Sequence, residues 1–240
     1  MTNAAFFDLD NTLINGSSLF HLGTGLVSRY GVGWGQVTRF GWQHLGYRVR
    51  GERAGRVADM RERALSLAAG ISVAEIMELS EEMYDARLAP RFFAGARQLV
   101  TEHLDAGTAV WLVTAAPTEL AELVARRLGL TGALGTNAEV VDGAWTGRLD
   151  GDVLHGRAKA DAVRVLARST GLNLGASSAY SDSINDLPLL EAVAYPHAVN
   201  PDRRLRRVAI ERHWPVHEFR KMRRAVRAHH AQPANAWAVR

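Results

Sequence analysis

Short apolar segments that alternate with helical patterns are the feature that most limits what this sequence can fold into. The segments that we predict to be buried strands are residues 4–9, 109–113, 133–136, 177–181 and 193–199. Apolar side chains recur at helical spacing in residues 117–128 and 157–170. Residues 138–149 flank Asp142-Gly143, which is a hairpin turn signal. This order predicts an α/β fold in which helices cover both faces of a parallel sheet.

Residues 17–92 interrupt the alternation immediately after the first predicted strand. They are rich in arginine and aromatic residues, and the windows 57–68 and 73–88 have helical periodicity. We therefore predict a helical domain inserted into an α/β core. The predicted division is residues 1–16 and 93–216 for the core, 17–92 for the insert and 217–240 for a basic C-terminal helix or tail.

Composition and charge exclude several classes of protein. The 240 residues include no cysteine, which excludes disulfides, thiolate metal ligands and a cysteine nucleophile. No apolar run approaches the roughly 18 residues of a membrane span, and we expect a cytoplasmic protein. Residues 200–240 carry eleven basic and three acidic side chains, whereas residues 1–199 carry 18 and 22. A basic segment of this kind suits nucleic acid, anionic lipid or solubility alone.

Two aspartates, Asp8 and Asp10, end the first predicted strand. Ligands of open α/β sheets bind beyond the carboxyl ends of the strands, and strand periodicity would place both carboxylates on one face. Two adjacent carboxylates repel each other unless they share a proton or a cation. The pair suits a carboxylate nucleophile, a neighbouring acid–base group and a hard divalent metal, although a polar turn would have the same sequence.

Polar residues also follow other predicted strands or begin helices. Thr114 precedes a predicted helix, where a hydroxyl and free N–H groups can bind an anion. Lys159 is one of only two lysines among 29 basic residues, and a compact ammonium suits a phosphate group. Asp182 and Asp186 occupy one loop with Asn185 between them, which is a carboxylate arrangement suited to Mg²⁺. Each signal alone is also compatible with a capping residue or a solvated helix face.

The order of Asp8, Asp10, Thr114, Lys159 and the DSIND segment resembles the motif order of the haloacid dehalogenase (HAD) superfamily of phosphohydrolases. The helical insert after the first strand, the hairpin before the lysine and the form of the last motif resemble subfamily IB, which contains the phosphoserine phosphatases. The resemblance implies a Rossmann-like parallel sheet core, the HAD fold, with a helical cap domain. It extends from the first to the last of these motifs.

The resemblance also implies a mechanism and a set of roles. It implies magnesium-dependent hydrolysis of a phosphomonoester through an aspartyl-phosphate, with Asp8 as nucleophile and Asp10 as general acid and base. The implied phosphate-binding residues are Thr114, Lys159 and Asn185. The implied Mg²⁺ ligands are Asp8, Asp182, Asp186 and Asp10, the last through its backbone carbonyl.

Three departures or loose matches bear on the substrate and the metal loop. Ser181 occupies a position where the family usually has glycine. Residues 15–20 lack the glutamate that pairs with the substrate amino group in phosphoserine phosphatases, and an unpaired ammonium in a closed pocket is costly. We therefore expect a small or lipid-like phosphate ester, with phosphoserine as the alternative. Arg63 loosely resembles the arginine that binds the substrate carboxylate in those enzymes, although a solvated helix residue is an equal interpretation.

Two regions outside the motifs bear on possible partners. The insert contains Phe20, Tyr30, Trp34, Phe40, Trp42 and Tyr47, which form either its own core or a roomy apolar pocket. Residues 201–210 predict a helix that packs on the core. Residues 217–230 predict a basic amphipathic helix with Phe219 on its apolar face, which docks on the body or contacts the anionic inner membrane surface peripherally.

Other functions stay open at this stage. Transfer of the phosphoryl group to an alcohol would use the same aspartyl-phosphate intermediate. A membrane- or nucleic-acid-binding protein with a vestigial catalytic core is an alternative of another class. We expect a small-molecule phosphate ester as the partner and do not expect nucleic acid.

Overall fold

The computed structural model describes residues 2–30 and 68–220. In chain order the strands are β1 (Ala4–Phe7), β2 (Ala109–Pro117), β3 (Gly132–Thr136), β4 (Ala138–Val141), β5 (Ala144–Leu149), β6 (Ser178–Ser181), β7 (Tyr195–Val199) and β8 (Val216–His217). Six of them form a parallel sheet in the order β3-β2-β1-β6-β7-β8, and β4 pairs with β5 as an antiparallel hairpin. The predicted α/β fold is therefore confirmed.

The helices are α1 (Ser18–Tyr30), α2 (Val73–Met83), α3 (Ala94–Asp105), α4 (Thr118–Leu128), α5 (Arg157–Thr170), α6 (Leu187–Leu190) and α7 (Arg203–Glu211). A π-helical turn at Tyr84–Leu88 and a 3₁₀ turn at Ala89–Arg91 follow α2. Within the described parts of the chain, no helix has the length and apolar character needed to cross a bilayer.

Both faces of the central sheet are buried, which explains why its strands are apolar without alternation. Phe7 of β1 belongs to one core, which it shares with residues of α3 and α4 such as Val100 and Leu120. Phe6 belongs to the opposite core, with residues of α5, α6 and α7. Successive side chains of a strand point to opposite faces, and the sheet is therefore the middle of three layers.

Several predicted boundaries shift in the structure. The first strand ends at Phe7, so that Asp8 and Asp10 lie in the following loop rather than on one strand face. β2 continues to Pro117, three residues beyond Thr114. The predicted helix at 157–170 is confirmed, as is the hairpin, in which Asp142 and Gly143 both have positive φ.

The C-terminal boundary also differs from the prediction. The predicted helix at 201–210 is confirmed as α7, whose Leu205 and Ala209 are buried. The predicted helix at 217–230 is wrong at its first residue, because His217 pairs with β7 as part of β8. Phe219 packs on Phe93 of the core, with ring centroids 6.4 Å apart. The rest of that segment, residues 221–230, lies outside the described residues.

The segments that lead into and out of the helical insert lie side by side. Phe93 N donates to Leu13 O at 2.9 Å, and Asn15 N donates to Arg91 O at 3.0 Å. The chain therefore leaves and re-enters the core at one place. The predicted window 73–88 is helical, whereas the window 57–68 lies almost wholly outside the described residues.

The hairpin binds the returning part of the insert. Gly70 N donates to Trp145 O at 2.7 Å, Trp145 N donates to Ile71 O at 2.9 Å, and Val73 N donates to Gly143 O at 2.9 Å. The Trp145 indole is buried in a cluster with insert residues such as Leu26 and Leu79. Its Nε1 donates to Glu119 of α4 at 3.0 Å.

Aromatic and histidine rings stack across four neighbouring strands on one sheet face. The ring of Tyr180 lies between those of Phe7 and His197, with centroids 4.2 and 4.4 Å away. His197 stacks on His217, which stacks on Phe219. We call Phe7, Tyr180, His197, His217 and Phe219 the ring column. Register explains it, because Phe7 pairs with Tyr180 and Tyr180 with His197 in the parallel sheet.

Candidate active site

A buried ion cluster at the carboxyl ends of β1 and β6 joins three residues that the sequence singled out. Lys159 Nζ donates to Asp8 Oδ1 at 2.6 Å and to Asp186 Oδ2 at 2.8 Å. The side chains of all three are less than a tenth exposed. Lys159 reaches this place because it lies in the first turn of α5, on the helix face that is buried against the sheet.

In the ion cluster, burial and neighbouring charges shift the pKa values of the side chains in opposing directions. Burial raises the pKa of Asp8 to about 6, with Asp186 adding to the rise and Lys159 opposing it. Burial alone would also raise the pKa of Asp186, but Lys159 outweighs it and holds that pKa below its usual value. Burial lowers the pKa of Lys159, but Asp186 and Asp8 together outweigh burial and raise it. The lysine therefore stays charged, and its charge keeps a carboxylate ionised in a dry environment.

Hydrogen bonds orient both aspartates of the first motif. Thr12 Oγ1, fully buried, donates to Asp8 Oδ2 at 3.1 Å. Asp10 Oδ1 accepts from the backbone N–H of Ser18 at 2.8 Å, which is the first residue of α1. The Asp10 side chain is thus fixed by the N-terminus of a helix that belongs to the insert.

The loop after β6 holds the last motif. Asp182 is close enough to Asp8 and Asp186 that burial and their charges raise its pKa well above the usual value. Asn185 lies in a single 3₁₀ turn, Ile184–Asp186, and its carbonyl would be 3.1 Å from a Cβ added to Gly156. Gly156 has φ 57° and ψ −119°, a conformation that disfavours other residues, so α5 and the loop approach closely there.

Thr114 lies inside β2 rather than at its end. It is buried, and its Oγ1 accepts from Ala116 N at 3.2 Å. Because β2 pairs with β1 in parallel, Thr114 lies at the same sheet edge as Asp8. Its role as a phosphate ligand, like that of Asn185, stays a prediction. Arg63 lies outside the described residues.

The fit of a divalent cation can be judged from the charges and donors present. Four aspartates, Asp8, Asp10, Asp182 and Asp186, contribute oxygen donors of the kind that Mg²⁺ prefers. Asp186 Oδ1 is buried without a hydrogen-bond partner. The described residues contain no group of three or more acidic or histidine side chains already placed around one point. The donors fit Mg²⁺ if the Asp10 carbonyl and water complete the ligand set, since Mg²⁺ usually keeps several waters.

Four residues that contact the site were not predicted as site residues. Ser181 Oγ donates to Asp186 Oδ2 at 2.8 Å. Asp202, predicted only as a helix start, accepts from Ile184 N at 2.8 Å and so holds the Asp182 loop. Asn200 Nδ2 donates to the carbonyl of Asn11 at 3.0 Å, beside the first motif. Ser181 ends a predicted strand and Asn200 follows one, and neither place distinguishes a site residue in the sequence.

The fourth residue, Arg220, approaches the site from the C-terminal side. Its Nη2 lies 3.6 Å from Asp182 Oδ2. It follows the last strand by three residues, in a segment that the sequence assigned to a separate basic helix. A basic residue among many in that segment gave no signal that could distinguish it.

Comparison with known proteins identifies related sequences and structures. The family model described as haloacid dehalogenase-like hydrolase matches residues 5–191. Phosphoserine phosphatase SerB1 of Mycobacterium tuberculosis is 51% identical over 228 residues, which cover 95% of this chain and 74% of that protein. Histidinol-phosphatase of Neisseria meningitidis is 31% identical, covering 92% of this chain and 100% of that one.

A solved structure is similar over most of the chain. A Bordetella pertussis protein of unknown function is 33% identical, with a TM-score of 0.80, over 91% of this chain and 100% of that one. The match covers most of both chains, so the two proteins share the fold.

Proposed function

The chain belongs to the haloacid dehalogenase-like hydrolases and is a phosphatase; within that class, we propose that it hydrolyses phosphomonoesters with Mg²⁺ through an aspartyl-phosphate on Asp8. The observation that carries the proposal is the ion cluster, in which Lys159 binds Asp8 at 2.6 Å within a buried site. A carboxylate that is desolvated and directed by a fixed cation is suited to nucleophilic attack.

The proposed reaction has two displacements at phosphorus. An oxygen of Asp8 forms a bond to phosphorus while the bond to the ester oxygen breaks, and Asp10 gives its proton to the departing alkoxide. In the second step water attacks phosphorus, Asp10 accepts the water proton, and the bond to Asp8 breaks. Inorganic phosphate and the free alcohol are the products, and Asp8 is regenerated.

The residues of this chain would orient and neutralise the reacting groups. Lys159 uses two of its three ammonium hydrogens on Asp8 and Asp186 among the described residues, which leaves one for a phosphoryl oxygen. Thr12 directs Asp8, and the α1 N-terminus directs Asp10. Thr114 and Asn185 are the proposed further phosphate ligands. Positive charge at fixed positions stabilises the transition state more than the same charge in water.

Mg²⁺ would be held by Asp8, Asp182, the Asp10 carbonyl and, in support, Asp186, and it would supply charge that offsets repulsion between these acids and the phosphate dianion. The count of charges supports this assignment. Three aspartates pair with Lys159 or Arg220, and the charge of Asp10 also acts on Asp8, so negative charge is in excess and a phosphate dianion would increase it.

The insert side of the site supports a leaving group without an ammonium. His21 of α1 is buried, and its pKa is lowered by burial and by Arg91 and Arg87, while Asp10 opposes the shift. Arg87 and Arg91 thus bring positive charge to the surroundings of His21, which favours neutral or anionic alcohols. Together with the missing acid at residues 15–20, it supports a small or lipid-like ester. We propose that residues 17–92 form the cap over this pocket.

Phosphoserine is the second candidate substrate, and one observation favours it. The relative named phosphoserine phosphatase SerB1 shares 51% of its aligned residues with this chain. A phosphate-release screen separates the two candidates. We expect glycerol phosphate, lysophospholipid and sugar phosphates to exceed phosphoserine in kcat/KM; phosphoserine as the best substrate by a wide margin would reverse this assignment.

Membrane contact through residues 217–230 also stays a proposal, in a reduced form. Phe219, which the prediction assigned to the apolar face, packs on Phe93. Any lipid-facing surface would have to be formed by the later residues of that segment. Sedimentation with anionic vesicles at low and moderate salt tests this directly.

The proposed function is tested most directly by Asp8→Asn. We expect loss of phosphate release from an aryl phosphate by at least about 10⁴-fold, because the amide cannot form the phosphoenzyme. Thr170→Ala, an exposed change on α5, serves as a control that retains activity. Absence of phosphate release by the wild-type protein at every divalent metal and pH would favour the binding protein with a vestigial core.

A further inference from the structure

The segment that follows the last strand is fastened to the catalytic loop rather than merely lying beside the sheet. Asn200 is buried at the end of β7 and uses all its amide groups. Its backbone N donates to His217 O at 2.7 Å, and its Oδ1 accepts from Arg220 N at 2.9 Å. Its Nδ2 donates to Asn11 O, in the loop that contains Asp10. One side chain thus connects the first motif to residues 217–220.

Packing of Phe219 fixes the same segment from the other side. Its ring lies against α3, where a Cβ added to Gly95 would be 2.3 Å from Phe219 Cε1. Only glycine leaves room for the ring at this distance. Arg220 is therefore held in place by the hydrogen bond of its own backbone N–H to Asn200 and by the ring contact of the preceding Phe219.

Arg220 contacts one of the two carboxylate oxygens of Asp182. The guanidinium lies 3.6 Å from Asp182 Oδ2, and both side chains are less than a third exposed. Partners of this outer kind orient the carboxylates that bind metals, and their removal typically weakens metal binding by about 10–100-fold. A guanidinium suits the task because its planar donors resist rotation better than an ammonium does.

We propose that Arg220 is a positioning residue for the divalent cation, holding Asp182 by one oxygen so that the other is presented to the metal. The inference rests on the proposed function, because it assigns Asp182 to a metal site. It extends the site to the C-terminal segment, beyond the predicted core boundary at residue 216. It also gives the Gly95–Phe219 contact a functional consequence.

Direct titration with Mn²⁺, followed by electron paramagnetic resonance of the free ion, tests the proposal without substrate. We expect Arg220→Gln to weaken Mn²⁺ binding by at least about 10-fold, with Arg220→Lys recovering part of the loss. Arg212→Gln removes the same charge from a surface pair with Glu191 and should bind Mn²⁺ as the wild type does. Urea unfolding of each variant establishes that the fold is retained.

A second variant displaces Arg220 indirectly, without a change to any polar residue. Gly95→Ala should displace Phe219 and weaken Mn²⁺ binding in the same direction. Gly23→Ala is its matched control, because this α1 glycine has open space around it. Unchanged Mn²⁺ affinity in Arg220→Gln would overturn the inference and leave the proposed phosphatase intact. A wild-type protein that binds no Mn²⁺ would overturn both.

Discussion

The ion cluster lies just beyond the ends of the strands that carry the ring column, but buried titratable groups are charged in the cluster and neutral in the column. Asp8 follows Phe7 directly, and Ser181 follows Tyr180. In the cluster, Lys159 and the carboxylates remain charged because they pair with one another. In the column, burial lowers the pKa of His197 to about 4 and raises that of Tyr180 to about 12, so both stay neutral. The strands β1 and β6 therefore adjoin a buried charged cluster and a buried uncharged column.

The difference shows what a buried charge requires. Each charge in the cluster has a partner of opposite sign within 2.8 Å, whereas His197 and His217 of the column have each other and the Tyr180 hydroxyl has His103. His197 Nδ1 lies 3.2 Å from His217 Nε2, which requires one of the two nitrogens to be unprotonated. Neutral rings can stack in a dry layer, whereas an ion there depends wholly on its partner.

Substitution of Lys159 in the ion cluster should have the largest effect on both activity and stability. We expect Lys159→Met to lower phosphate release by at least about 10³-fold and the free energy of unfolding by about 3–5 kcal/mol, because two buried carboxylates lose their cation. Phosphate release and urea unfolding measure the two effects. Arg157→Met, an exposed change on the same helix, should alter neither. Wild-type stability in Lys159→Met would show that the carboxylates are not held by this pair.

Lowering the pH should destabilise the protein through the ring column. The folded-state pKa of His197 is depressed to about 4 from the usual 6.5, so the unfolded chain binds protons first as the pH falls. The contribution of neutral His197 to the free energy of unfolding is complete above about pH 6.5. It is lost as the pH falls toward 4, by about 1–2 kcal/mol at pH 5. His197→Phe should remove this part of the pH dependence of unfolding.

Other titratable groups lie near His197, so that measurement needs a control variant at a histidine outside the ring column. His217 and His103 oppose protonation of His197, and Glu102 favours protonation of His103 and His217. His213→Asn changes an exposed histidine in a left-handed turn that asparagine tolerates, and it should leave the pH dependence as in the wild type. Equal acid sensitivity of His197→Phe and the wild type would locate the effect elsewhere.

The smallest expected effect concerns the serine at the junction of the two regions. Ser181→Ala removes a hydroxyl that donates to Asp186, and we expect a loss of about 1 kcal/mol in stability with a few-fold decrease in kcat. Thermal unfolding and phosphate release measure these changes. Ser169→Ala, on the exposed side of α5, is the control. A neutral result would show that the Ser181 hydroxyl does not support Asp186.

Sequence reasoning predicted those parts of the molecule that have a local pattern. The strand that contains Phe7 is a continuous apolar run, the strand that contains Tyr180 is a short run of small and aromatic residues, and Asp8, Lys159 and Asp186 stand near the ends of elements. Their convergence followed from parallel topology, because the carboxyl ends of parallel strands share one edge.

The remaining parts depend on contacts that no local pattern records. β8 is two residues long, too short for periodicity, and it exists because β7 offers an unpaired edge. Asn200 and Arg220 act through partners distant in the sequence. Thr114 was predicted at a strand end, but pairing with β3 extends β2 to Pro117. Tertiary pairing thus decided each boundary that the sequence missed.

The hairpin contact with the insert has a consequence for movement of the insert. Three backbone hydrogen bonds join Gly70, Ile71 and Val73 to the hairpin, and the Trp145 indole is buried between the two. A rigid rotation of the whole insert would break these bonds and expose the indole. These contacts fasten the start of α2 to the hairpin, so a rigid movement of the insert is expected to require all three bonds to break.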